Sequence, residues 1–265
     1  MFNLFRKTIY DKRAFIIGWA IGMVFFAFVM MIFFPAFKDS GLDQMLVNLP
    51  PELKSLKGLI GDIGALSTPS GYLAGQFFDI RMPMFLSVFS VILAIGLSIK
   101  DEEAGYIRTL LALPLSRTKL FFGKFLAIVV ISLSAVIASA VGLLLGAAVV
   151  NVSLDLVVLF NLSLVTLILL ICMTTLFYCV GIATGKRTIT MLVGVLVSTC
   201  SFLLTTFVKS VDWLQPYENA SLFHYFPAAD IVKNGIFYGD ILVYVFITLI
   251  SILAAIILFR RRDVR

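Results

Sequence analysis

Six stretches of the chain contain no Asp, Glu, Lys, Arg or His: residues 14–34, 82–99, 125–150, 156–183, 189–207 and 241–259. A hydrocarbon core about 30 Å thick needs about 20 apolar helical residues to cross it. Each run meets that length, and a helix satisfies its backbone hydrogen bonds internally, as lipid demands. Barrel strands instead alternate apolar and polar positions over about 10 residues, and these runs do not alternate. Composition agrees. The 265 residues are 61% hydrophobic and 14% charged, against roughly 45–50% and about 25% in soluble domains. Neither a water-soluble globule nor a disordered chain fits. The three cysteines, Cys172, Cys179 and Cys200, all lie in apolar runs, which excludes a disulfide scaffold. The expectation is an all-α membrane protein with six transmembrane helices in a single domain over 1–265.

Basic residues orient the spans. Fifteen of the 21 Lys and Arg fall on one side: four before span 1, five between spans 2 and 3, two after span 4 and four in the C-terminal tail. The remaining six are spread over the long segments 35–81 and 208–240. By the positive-inside rule both termini are cytoplasmic and those two segments external. Span 1 is expected to remain in the protein, because its apolar run exceeds the 7–15 residues of a signal core. The net charge of +6 then reports topology and contact with anionic lipid rather than a nucleic-acid partner.

The connectors carry further structure. Phe2, Phe5 and Ile9 fall on one helical face ahead of span 1, with Asn3, Arg6, Lys7, Asp11, Lys12 and Arg13 elsewhere. This predicts an N-terminal amphipathic helix along the inner membrane surface; basic anchoring of span 1 is the simpler alternative. In segment 35–81, residues 42–47 and 53–63 read as helical, and Pro69-Ser70-Gly71 as a turn. Between spans 2 and 3, the acidic cluster Asp101-Glu102-Glu103 runs to Gly105, a helix stop. Ile107, Leu110 and Leu111 then take i, i+3, i+4 spacing before Pro114, and Ser116 stands at an N-cap position. A compact cytoplasmic helix results, either docked on another protein or laid on the lipid. Segment 208–240 is crowded with aromatics, including Trp213, Tyr217, Phe223, Tyr225 and Phe226, and 228–235 should form one or two helical turns ending at Gly235. Headgroup anchoring explains such a segment; the bolder reading makes Phe223, Tyr225 and Pro227 an external gate.

Catalytic chemistry is hard to assemble. The single histidine, His224, and the unpaired cysteines offer no metal site. Gly181-Ile182-Ala183-Thr184-Gly185-Lys186-Arg187-Thr188 imitates a P-loop but has three residues between its glycines, not four, and Arg at the Ser/Thr position. ATP is therefore not expected on this chain. Ion-coupled carriers keep ionisable groups inside their bundles, and these spans have none; Asp79 and Arg81, at the edge of span 2, come nearest. Any transport would draw its energy from elsewhere. Gly18-x-x-x-Gly22 and Gly142-x-x-x-Gly146 permit close helix approach, internally or between two copies.

Glu102-Glu103-Ala104-Gly105, then Leu110-Leu111-Ala112-Leu113-Pro114-Leu115-Ser116-Arg117 and Gly123-Lys124, resembles the signature of ABC-2-type permeases, the membrane subunits of ATP-binding-cassette exporters. Tyr106 replaces the threonine usual after the glycine. Phe223-His224-Tyr225-Phe226-Pro227 and the ending Phe259-Arg260-Arg261-Arg262-Asp263-Val264 are similar to the same family's closing segments. The resemblance implies a non-enzymatic permease in a bacterial-type inner membrane, paired with a second copy, through Gly18 and Gly22 on one reading. A separate ATPase subunit would hold ATP-Mg, so the chain itself binds no cofactor and no metal. The loop between spans 2 and 3 would be a coupling helix, with Glu102, Glu103, Gly105, Arg108, Leu110, Leu111, Pro114 and Arg117 at the ATPase contact. The substrate path would lie between facing helices of the dimer, spans 2 and 5. An apolar or amphipathic substrate suits the uncharged spans. A membrane scaffold that moves nothing, or an autonomous carrier, are the rivals.

Overall fold

In the computed structural model, residues 2–39, 68–79, 81–100, 117–208 and 211–261 are described, and all regular structure among them is helical. Six helices are long and apolar enough to cross a membrane: Arg13–Lys38, Arg81–Ser98, Thr118–Val149, Leu156–Thr184, Arg187–Phe207 and Tyr238–Phe259. They match the six expected spans in order. The largest departure is at span 3, whose helix begins at Arg117 rather than 125. Lys119 and Lys124, expected in the loop, are therefore helical. Nothing in the sequence stops a helix there: 117–124 contains no proline, and its only glycine, Gly123, is followed by Lys124 and then a long apolar run.

Span 4 is the centre of the bundle, packing against spans 2, 3, 5 and 6. Its apolar residues face several ways, and Leu162, Leu169, Cys172, Met173, Phe177 and Tyr178 are all buried. A helix that is apolar around its circumference can only be buried or face lipid. Ser90 of span 2 and Thr174 of span 4 pair their hydroxyls at 3.0 Å inside this core, because a buried hydroxyl needs a partner.

Span 1 lies along span 3 where glycine permits it. A Cβ on Gly142 would stand 2.8 Å from the Ala27 Cβ, and one on Gly146 would stand 2.7 Å from the Met31 Cβ. Small residues let these backbones approach, the usual basis of helix association in lipid. Gly18 and Gly22 are different, since an added Cβ there would meet no atom of the described residues within 4 Å. The two glycine pairs thus divide: Gly142 and Gly146 pack within the chain, while Gly18 and Gly22 lie open.

Ahead of span 1, Phe2–Asp11 forms a separate helix that breaks at Lys12. Leu4, Phe5 and Ile9 pack on the core, while Arg6, Lys7 and Tyr10 are exposed. This is the amphipathic helix expected there, and span 3 receives its apolar face.

One expectation fails before span 2. Pro69-Ser70-Gly71 is not a turn but the start of a helix, Pro69–Tyr72, running into a π-helical segment, Leu73–Phe78. The Thr68 hydroxyl caps it by accepting from the Gly71 N–H at 3.2 Å, and proline at the first helical position loses no hydrogen bond. The wider π turn is closed by the Asp79 N–H donating to the Ala74 carbonyl at 2.8 Å. The segment is held down by the Tyr72 hydroxyl, which donates to the Met30 carbonyl of span 1 at 2.9 Å. Burial pushes the Tyr72 phenol above its ordinary range, opposed by the Arg81 guanidinium. The helices expected over 42–47 and 53–63, and the whole coupling segment 101–116, lie outside the described residues.

Between spans 5 and 6 a 3-10 helix, Asp212–Ala220, precedes a short helix, Ala228–Asn234. The second ends at Gly235 with φ of +77°, a left-handed backbone that glycine adopts without strain. This is the one-to-two-turn helix and glycine stop expected after Pro227.

Candidate functional site

Spans 2 and 5 cross tightly at one point. A Cβ on Gly194 of span 5 would run into Val91 Cγ2 of span 2. Around this crossing, spans 2 and 5 and the start of span 1 enclose a groove of about 1170 Å³. Its walls run from Met84 to Lys100 on span 2 and from Arg187 to Leu203 on span 5. At 1.5 Å per residue each wall extends about 24 Å, most of a hydrocarbon core.

The groove is chemically divided along its length. Its body is apolar and open, with Val88, Ile92, Met191 and Val195 each about half exposed. Ser87, Ser198 and Thr199 are the hydroxyls along it. Among the described lining residues the charged ones are Asp11, Lys12, Lys100 and Arg187, and they gather at the end where span 2 finishes and span 5 begins. A Cβ on Gly96 would stand 2.6 Å from the Lys12 Nζ, so that ammonium rests against the span 2 backbone. Phe223 lines the opposite end.

Phe223 is positioned by a hydroxyl network. The Ser201 hydroxyl of span 5 accepts from the Leu222 N–H at 3.2 Å, and the Ser221 hydroxyl donates to the Ser201 carbonyl at 2.8 Å. Thr205 and Ser221 share a hydrogen bond of 2.6 Å. From span 6, the Tyr244 hydroxyl donates to the Leu222 carbonyl at 2.8 Å. Of the three expected gate residues, Phe223 faces the groove, while Tyr225 and Pro227 line a separate cavity of about 330 Å³ with Asp230 and Asp240. His224 Nδ1 lies 3.1 Å from Glu218 Oε1 beside them.

The charged end of the groove adjoins a knot of contacts where span 2 ends. The Lys124 ammonium, 2% exposed, donates to the Leu97 carbonyl at 2.6 Å. The last carbonyls of a helix lack intrahelical partners, and a cation is favourable among them. Nearby, Gly181 of span 4 packs on Ser98, whose Cβ would stand 2.8 Å from a Cβ at Gly181, and on Thr190 of span 5. The described residues that border segment 101–116 are Lys100, just past the end of span 2, and Arg117, at the start of the span 3 helix. Glu102, Glu103, Gly105, Arg108, Leu110, Leu111 and Pro114 fall outside the described residues, and Arg117 opens the span 3 helix. Gly18 and Gly22 line a shallow pocket of about 370 Å³ with Trp19, Phe26 and Phe85.

The sequence matches the family model for the ABC-2 family transporter protein over residues 2–264. The chain belongs to the ABC-2 transporter family. No curated protein matches it as a relative. Within this multi-pass permease, Lys12, Lys100 and Arg187 were legible only as topology-setting charges, since nothing in their spacing announces a shared groove. Lys124 was visible as part of Gly123-Lys124, but its role depends on the extra helical turns of span 3. Gly194, a lone glycine inside span 5, was the one available sign of the crossing.

Proposed function

We propose that this permease is the membrane subunit of an ATP-driven exporter, moving an apolar or amphipathic substrate along the groove between spans 2 and 5. One observation carries the reading: the charged end of the groove includes Lys100, the described residue that borders segment 101–116. A push on that segment would act directly on the inner ends of spans 2 and 3.

In this reading a separate ATPase subunit holds ATP-Mg and docks on segment 101–116. Arg108, Leu110 and Leu111 form the contact, Glu102 and Glu103 flank it, and Gly105 and Pro114 bound the helix. Arg117 transmits the load to span 3. Two permease copies pair, and the Gly18/Gly22 face of span 1 supports this because its glycines pack against no described residue of their own chain. Both termini lie in the cytoplasm of a bacterial-type cell, as the distribution of basic residues favours. Phe223 closes the external end of the path, with Tyr225 and Pro227 supporting its segment. Nucleotide shifts the balance between inward and outward forms only by binding them unequally, so the coupling contact must differ between the two.

Tagged purification in mild detergent from the native host, with mass spectrometry and an ATPase assay, tests the reading. A stoichiometric P-loop ATPase should copurify and be lost when Arg108→Asp and Leu111→Asp are combined. Recovery of the permease alone in several detergents would favour a scaffold or an autonomous carrier instead.

A further inference from the structure

We propose that His224 is a proton-operated clasp on the Phe223 end of the groove. Charged, it ties the bend that carries Phe223 to Glu218 and to the head of span 6; neutral, it lets that bend loosen. The clasp deepens the reading of Phe223 as a gate and rests on it for its purpose. Phe223 and His224 are neighbours in a tight bend, closed by the Phe226 N–H donating to the Phe223 carbonyl at 3.1 Å. Phe223 is buried and lines the groove, whereas His224 is a third exposed and open to protons.

Two consecutive side chains fasten this bend to the end of the 3-10 helix Asp212–Ala220. His224 Nδ1 lies 3.1 Å from Glu218 Oε1, and the Tyr225 hydroxyl donates to the Asn219 carbonyl at 2.9 Å. From the other side, Asp240 in the first turn of the span 6 helix lies within electrostatic reach of His224. Among the described residues, neither Glu218 nor Asp240 has another ion-pair partner. The Tyr225 ring stands edge-on to the imidazole at 5.1 Å. Asp230, from the helix Ala228–Asn234, lines one cavity with Tyr225 and Asp240, and Lys233 of that helix stands outside this lining.

Histidine is the side chain whose charge changes between about pH 5 and 8. An imidazolium here places one cation between carboxylates that belong to two different elements. A neutral imidazole can still share a hydrogen bond with Glu218 but offers Asp240 nothing. The clasp therefore holds below the histidine range and is lost as the pH rises through it. The Ser201, Thr205 and Ser221 hydroxyls that also hold the bend have no charge to lose, so His224 is its titrating tie.

The test uses the full-length chain in phosphatidylcholine nanodiscs, with Leu203→Cys in a Cys200→Ser background. Leu203 is exposed and lines the groove with Phe223, while Cys172 and Cys179 are buried. The labelling rate with a neutral methanethiosulfonate is taken at about pH 5.5 and about pH 8, on either side of the histidine range. Each rate is divided by that of the same thiol in His224→Gln, which cancels the thiol's own pH dependence. In acid the His224 protein should label about two- to fivefold more slowly than His224→Gln, the scale of one partly exposed ion pair. In base the two should label alike. His224→Arg, a cation at both values, should label slowly at both. Should His224→Gln fail to fold, Glu218→Gln replaces it as the reference and should likewise label faster than the parent in acid only.

A ratio that does not change with pH, or His224→Arg labelling as fast as His224→Gln, would overturn the clasp. Neither result touches the groove as a path, because the measurement needs no ATPase and no substrate. Conversely, a pH-dependent ratio would uphold the clasp even if substrate were found to move elsewhere.

Discussion

At the scale of single residues, two positions bear more than their chemistry suggests. Lys124 is a lysine in an apolar setting, and its hydrogen bond to the Leu97 carbonyl supplies the partner that a buried helix end lacks. Lys124→Met should leave that carbonyl unsatisfied and destabilise the protein by about 1–3 kcal/mol. The check is the thermal midpoint in detergent, which should fall. Gly194 sets how closely spans 2 and 5 cross. Gly194→Ala puts a methyl into Val91 and should cost about 1–3 kcal/mol as overpacking, and pairing it with Val91→Ala should recover most of the loss. The cycle of single and double variants by thermal unfolding measures that coupling.

At the scale of elements, the apolar runs fixed six helices because lipid leaves no other way to satisfy a spanning backbone. The ends were less legible. Span 3 extends back to Arg117 since only charge marks its boundary, and charge does not stop a helix. Pro69-Ser70-Gly71 reads as a turn by composition, yet Thr68 and Pro69 are also a helix start; the buried Tyr72 and Phe77 decide the matter by packing. The N-terminal helix 2–11 was visible from three apolar positions, of which Phe5 and Ile9 pack on the core. Phe5→Asp with Ile9→Asp should free it from span 3. Trypsin cleavage at Arg6 and Lys7, both exposed, should then accelerate several-fold, read by mass spectrometry of the nicked chain.

At the scale of the whole molecule, the candidate site was legible in parts that sequence could not join. The loop motif and the uncharged spans pointed to a permease driven from outside, and the family match bears out the permease. What stayed hidden was the meeting of Lys12, Lys100 and Arg187, from three separate regions of the chain, at one end of one groove. Only tertiary packing around Gly194 and Gly181 brings them together. The central claim is that work done by a partner ATPase at segment 101–116 re-aims spans 2 and 5. Its most direct test follows the maleimide labelling rate of Val195→Cys, in the Cys200→Ser background, in the copurified complex in nanodiscs. The rate is taken without nucleotide, then with ATP-Mg and vanadate. The rate should differ between the two conditions, and the difference should vanish with Leu111→Asp. An unchanged rate in a complex that hydrolyses ATP would contradict the account.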